Sequence, residues 1–213
     1  MTSRRMLLIN IVIIVVIIAA GFIGYYFYNQ STLYLSTDNA SVTGQAISVA
    51  SPAAGQITSW SGTEGQQFTS GQTIGQVAVG PGKTVSITMP DNGTIVQNAA
   101  IKNEFVGAGT PLAEAYNMQN LWVTANIKET QISNVKVGQA VDVYVDAFPG
   151  ITIKGTVDQI GLATASTFSL LPSTNDNANF TKVTQVVPVK ITLQGDEGIG
   201  LVPGMSATVR IHK

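Results

Sequence analysis

The side chains that could do chemistry in this chain are few. Asp142 and Asp146 flank Tyr144, and Asp196 stands next to Glu197. Paired carboxylates can divide acid and base roles only where a pocket holds them in different environments. The first pair occupies the outward face of an alternating strand and the second a Gly-rich turn, so both read as solvated. Cysteine is absent and the one histidine, His212, precedes the last residue. No nucleophile therefore has a candidate base, and neither a thiolate nor a His-based metal cluster can be assembled. Disulfide staples and lipoprotein acylation are excluded by the same count. Gly80-Pro81-Gly82-Lys83-Thr84 has the residue types of a phosphate loop without its full spacing or a following helix. Asn-x-Ser/Thr triplets, such as those at Asn39, Asn92 and Asn179, are expected by chance in so Asn-rich a chain. The expectation is a protein that is not an enzyme, with no catalytic, cofactor-binding or metal residues.

Composition points away from nucleic acid as well. Net charge is −1 over 213 residues and charged side chains make up 11%, far below the usual quarter. No basic surface is available to a phosphate backbone. Gln, Asn, Ser, Thr and Gly supply the polarity, which suits either an ordinary β-rich surface or the lining of a solute path.

The elements that position these residues are announced by an internal repeat. Pro52, Gly55, Ile57, Gly71 and Ile74 fall on Pro90, Gly93, Ile95, Gly109 and Leu112 at a constant offset of 38, without a gap. In the same register Val49 falls on Ile87, Phe68 on Val106, and Gly65 on Asn103. Gly and Asn are the two residues that most readily take a left-handed turn, so that last exchange keeps the backbone. Two copies are too few for a solenoid. They predict two similar halves closing on each other.

Elsewhere the period is that of strands. Val141, Val143, Val145 and Ala147 alternate with Asp142, Tyr144 and Asp146, a turn follows at Phe148-Pro149-Gly150, and residues 152–160 run back as a hairpin partner. Val187, Val189, Ile191 and Leu193 form another alternating face, and Ala207, Val209 and Ile211 a third. A short helical turn is expected over 130–135 and a polar loop over 163–181.

Residues 6–28 are apolar but for Asn10 and end in the aromatic cluster Tyr25 to Tyr28. Their length gives about 34 Å of helix against a hydrocarbon core of about 30 Å. Arg4 and Arg5 precede the run and no Lys or Arg follows before Lys83, so residues 1–5 are expected in the cytosol and the bulk of the chain outside. A signal peptide cleaved near Ala19, Ala20 and Gly21 is the competing reading.

At this point the residues resemble a family. Tyr34-Leu35-Ser36-Thr37-Asp38-Asn39-Ala40, the Ser51 to Gly55 turn, Glu64-Gly65-Gln66 before Ser70-Gly71-Gln72, and the ending Leu201 to Ser206 are similar to the membrane fusion, or periplasmic adaptor, proteins of the HlyD type. Phe168 to Pro172, Asn179 to Val183, Gln185 and Val187-Pro188-Val189 resemble the EmrA-type branch. The resemblance implies a mainly β protein with one N-terminal transmembrane helix and a lipoyl-like flattened barrel nested with a membrane-proximal β-barrel. The divisions expected are a linker and first barrel strand over 29–43, a lipoyl-like domain over 44–115 and a β-barrel domain over 116–213. Pro52, Gly55, Gly65, Gly71, Pro90, Gly93, Asn103 and Gly109 would make the turns of the lipoyl repeat.

Relatives that meet an outer-membrane channel insert a long helical hairpin between the repeat halves. Here the connector is residues 78–85, which reaches at most about 28 Å, so a single-membrane, Gram-positive-like host is expected. Lys83 lies in that connector, where a lipoyl or biotinyl domain carries its modified lysine. Its neighbours lack the acidic and methionine residues of carrier motifs, and an ordinary solvated turn lysine is expected.

The implied partners are the membrane, further copies of the chain and a major-facilitator drug:proton antiporter, with an ABC exporter as the alternative. Phe148, Phe168, Leu170 and Leu171 are candidate contact residues. A surface-anchored scaffold without a transporter is the competing reading.

Overall fold

The computed structural model describes residues 11–22, 24–25, 33–168, 184–195 and 198–213. In chain order the strands are β1 (Tyr34–Ala50), β2 (Gly55–Trp60), β3 (Gln67–Phe68), β4 (Thr73–Gly80), β5 (Lys83–Thr88), β6 (Gly93–Asn98), β7 (Phe105–Val106), β8 (Pro111–Lys128), β9 (Ala140–Val145), β10 (Ile153–Ile160), β11 (Val186–Gln194) and β12 (Ser206–His212).

Alternation builds a barrel first. In β9, Val141, Val143 and Val145 are buried while Asp142 and Tyr144 stand half-exposed between them. β10, β11 and β12 repeat this pattern, and four such strands hide their apolar faces by curling around one another. Hydrogen bonds run in the order β1, β12, β9, β10, β11, β8, and β8 returns to β1, so six strands close and no edge is left. The core includes Val42, Val123, Val143, Ile191 and Val209, all essentially buried.

Because every neighbouring pair is antiparallel, the two barrel ends differ. One end gathers the starts of β1, β9 and β11 and the ends of β8, β10 and β12. Residues 129–139 and 161–168 belong to that end. The other end carries the turns over 146–152 and 195–205.

From this second end β1 and β8, 17 and 18 residues long, run on together into a sandwich. Their ladder pairs Gly44 with Leu121, shifts register, and resumes at Ala46 opposite Tyr116. Beyond the shift, β6 and β3 extend the sheet, and a second sheet in the order β5-β4-β2-β7 faces it. Ile47, Val49, Ile57, Phe68, Ile87 and Ile95 fill the space between the sheets.

The hairpin predicted over 152–160 is β10, paired with β9. The helical turn predicted over 130–135 is a 3-10 helix, Glu129–Asn134. The predicted loop holds a further 3-10 turn, Ala165–Phe168, and its part from 169 to 181 lies outside the described residues. Residues 11–22 and 24–25 are helical. Among the described residues no helix is long and apolar enough to cross a membrane, and the rest of the 6–28 segment lies outside them.

Candidate functional site

The repeat is visible bond by bond. Gly65 N–H donates to the Ile95 carbonyl and Asn103 N–H to the Ile57 carbonyl, both at 2.8 Å. Gly71 N–H meets the Met89 carbonyl as Gly109 N–H meets that of Ser51, again both at 2.8 Å. All four donors lie in the left-handed region, at φ of 83° for Gly65, 71° for Asn103, 78° for Gly71 and 80° for Gly109. Asn103 is the non-glycine residue found there among the described residues, which fits its short polar side chain.

Gly55 and Gly93 have a different reason to lack a side chain. A Cβ on Gly55 would stand 2.1 Å from the Ala78 carbonyl oxygen, and one on Gly93 3.0 Å from Ile47 Cδ1. Pro52 and Pro90, both exposed, lie in the turns that lead into these two glycines. At Gly55 the paired strand β4 leaves no room for a methyl group, and at Gly93 the Ile47 and Met89 side chains and the Tyr116 carbonyl would have to give way.

The two halves are joined by a tight hairpin. Gly80 pairs with Lys83 across Pro81 and Gly82, and Gly82 takes φ 67°. Lys83 is exposed at the start of β5. This turn stands at the end of the sandwich away from the barrel, since its β4 strand pairs Ala78 with Gln56 near the beginning of β2.

The barrel places the candidate contact residues at opposite ends. Phe148 lies in the 146–152 turn, on the sandwich side, and packs half-buried against the barrel core. Residues 161–168, after β10, belong to the other end, where β1 begins. The backbone of Phe168 closes a 3-10 turn there; the contacts expected of the Phe168 side chain, Leu170 and Leu171 lie outside the described residues. Sequence reasoning passed over two residues at that same end. Val137 is 65% exposed and Leu162 fully exposed, and neither falls in an alternating strand that would have drawn notice.

His212, although next to the last residue, is held in a strand. It pairs with Tyr34 in the ladder between β12 and β1, and Lys213 N–H donates to the Leu33 carbonyl at 2.9 Å. Its ring meets that of Tyr34 edge-on, and its Nε2 lies 3.0 Å from Asp142 Oδ2. Lys154 Nζ donates to Asp142 Oδ1 at 2.6 Å. Burial alone would push the Asp142 carboxyl up; hydrogen bonds from Lys154 and His212, with their charges, outweigh it and hold the group below its ordinary value. Lys154 is raised in turn, chiefly by its hydrogen bond to Asp142. The cluster clamps three adjacent barrel strands and their junction with the start of β1. Asp146, the other half of the pair, is exposed.

A two-half sandwich continuous through two long strands with a closed six-stranded barrel defines the fold class. Family models divide the chain in the same manner. Residues 45–117 match "YhbJ, barrel-sandwich hybrid domain" and residues 120–213 match "CusB-like, beta-barrel domain".

The chain is 44% identical over 213 residues to YhbJ of Bacillus subtilis (strain 168), a candidate efflux system component, covering 100% of this chain and 95% of that one. It is 39% identical over 109 residues to the multidrug export protein EmrA of Escherichia coli (strain K12), covering 50% of this chain and 28% of that one. The fold of MacA from Actinobacillus actinomycetemcomitans is similar at a TM-score of 0.66 and 12% identity, over 84% of this chain and 79% of that one. This chain belongs to the membrane fusion proteins of the HlyD and EmrA type, the adaptors of efflux systems.

Proposed function

We propose that the protein is a membrane-anchored, non-enzymatic adaptor that docks on the extracytoplasmic side of a transporter exporting drugs or other small molecules. One observation carries the reading: the chain enters the barrel at Tyr34 and the sandwich leaves from the opposite end. If residues 6–28 form the anchor, with residues 1–5 in the cytosol, the barrel end bearing Val137 and Leu162 faces the membrane. Exposed apolar side chains on loops at that end suit a protein partner. Phe168, Leu170 and Leu171 would join them, while Phe148 would serve the joint with the sandwich.

The sandwich then projects outward, where its broad side would pack against other copies in a ring or smaller oligomer. The short Gly80 to Lys83 turn fits a single-membrane envelope, because it offers nothing that could bridge to a second membrane. Energy coupling would stay with the transporter. EmrA-type kinship favours a major-facilitator antiporter over an ABC exporter.

The test is a gentle solubilisation of the membrane, capture through a carboxy-terminal tag, and identification of stoichiometric integral membrane proteins by mass spectrometry. Recovery of a major-facilitator antiporter is expected. An ATP-binding permease would keep the role and change the partner, and an intact oligomer without any transporter would refute the reading.

A further inference from the structure

The repeat that shapes the sandwich also shows which surface residues its backbone does not require. On the outward face of the first sheet, Ser48, Glu114 and Gln97 form a row across β1, β8 and β6. Shifted by the repeat, the matching row on the second sheet is Ser86, Gln76 and Ser59, paired in the same manner. The central residue is a carboxylate in one and a neutral amide in the other.

The flanks differ in the same direction. Ala46, Ala99 and Pro111 line a groove of about 350 Å³ beside Glu114, and their repeat counterparts are Thr84, Ser61 and Thr73. The fold accepts hydroxyls at these positions, yet here Ala46, Ala99, Pro111 and Ala113 line the groove, with Ser48 and Gln97 as the neutral neighbours of its single acid. A second concavity of about 320 Å³ begins at the same carboxylate and runs under Val202 and Pro203 of the 195–205 turn, past Val96 and Tyr116. Each volume is at the lower limit for a small-molecule site, and the two meet at Glu114.

The carboxylate is poorly compensated. Tyr116 Oη donates to Glu114 Oε1 at 2.8 Å, and among the described residues Glu114 has no ion pair. The Tyr116 phenol is raised by that hydrogen bond, with burial and the carboxylate charge adding to it, so it stays a donor and neutral. A half-buried acid beside apolar walls attracts a cation whose own charge is wrapped in hydrocarbon, because neither partner then gives up strong hydration.

We propose that this groove binds a hydrophobic organic cation, with Glu114 as its counter-ion and Ala46, Ala99 and Pro111 as its apolar wall. The inference concerns binding by this chain alone and stands whether or not a transporter is its partner.

The test is equilibrium dialysis of the full chain in detergent micelles against tetraphenylphosphonium, with empty micelles as reference and triphenylphosphine oxide as the neutral probe. Saturable retention of the cation above the reference is expected, with little of the oxide retained. E114Q should weaken cation retention roughly tenfold, the effect of losing one partly desolvated charge contact. Gln76 shows that the fold carries an amide at this place, and an unchanged melting temperature would check it. Ala46→Thr with Ala99→Ser should weaken retention while keeping the carboxylate. No retention above empty micelles, equal retention of the oxide, or an E114Q variant that binds as well as the parent would overturn the proposal. A fall in oligomer mass in E114Q with cation binding intact would overturn it in favour of a second copy covering the groove.

Discussion

At Gly55 a methyl group would stand 2.1 Å from a backbone oxygen that belongs to the opposing strand. Nothing flexible can yield there, so Gly55→Ala should cost about 2 kcal/mol or more in a thermal or denaturant melt of the full chain. Asn103 is the opposite case. Its backbone is already left-handed, and Asn103→Gly should leave the melt within about 0.5 kcal/mol, whereas Asn103→Val should lose about 1–2 kcal/mol. Positions of this kind could be read from letters alone, because the exchange of Gly65 for Asn103 between copies names the conformation. His212 could not, since its place depends on pairing with Tyr34 at a distance in sequence that no local pattern reports. Asp142 accepts from Lys154 across the β9–β10 ladder and lies 3.0 Å from His212 Nε2, and these partners hold its carboxyl below the ordinary value. A depressed acid contributes stability that is full above its unfolded value and lost as pH falls through the folded one. The barrel should therefore weaken below about pH 4, and Asp142→Asn should flatten that part of a pH series of melting temperatures.

Among the elements, β1 and β8 carry the architecture, and they are the part that alternation did not reveal. Each strand serves two cores, and the change of partners happens at the register shift after Gly44. A register is a property of two strands, so no reading of one of them could locate the shift. The hairpin between β4 and β5 is simpler. Its turn is exposed, Gly80 and Gly82 face open space, and the ladder ends at Gly80 opposite Lys83. Lengthening it changes only the entropy of closing a loop, at about 0.6 kcal/mol per doubling. Inserting about six Gly and Ser residues between Pro81 and Gly82 should cost about 1 kcal/mol and leave the oligomeric state unchanged by light scattering. A large loss of stability would mean that the turn is held by contacts outside this chain.

On the scale of the whole molecule, the barrel and the sandwich share two strands, so the assembly has a direction that neither part has alone. The repeat and the barrel-strand periodicity were readable, but which loops share the end where β1 begins follows only from the closed, antiparallel order of six strands. Docking through that end is the central claim of the functional account. The most direct test places a photo-reactive phenylalanine analogue singly at Val137, Leu162 and Phe105 of the full chain in living cells. Val137 and Leu162 lie at the barrel end where β1 begins, and Phe105, 78% exposed, lies on the sandwich at the far end. Illumination should link positions 137 and 162 to a polytopic transporter and should not link position 105 to it. Transporter adducts from position 105, with none from the barrel end, would contradict the account.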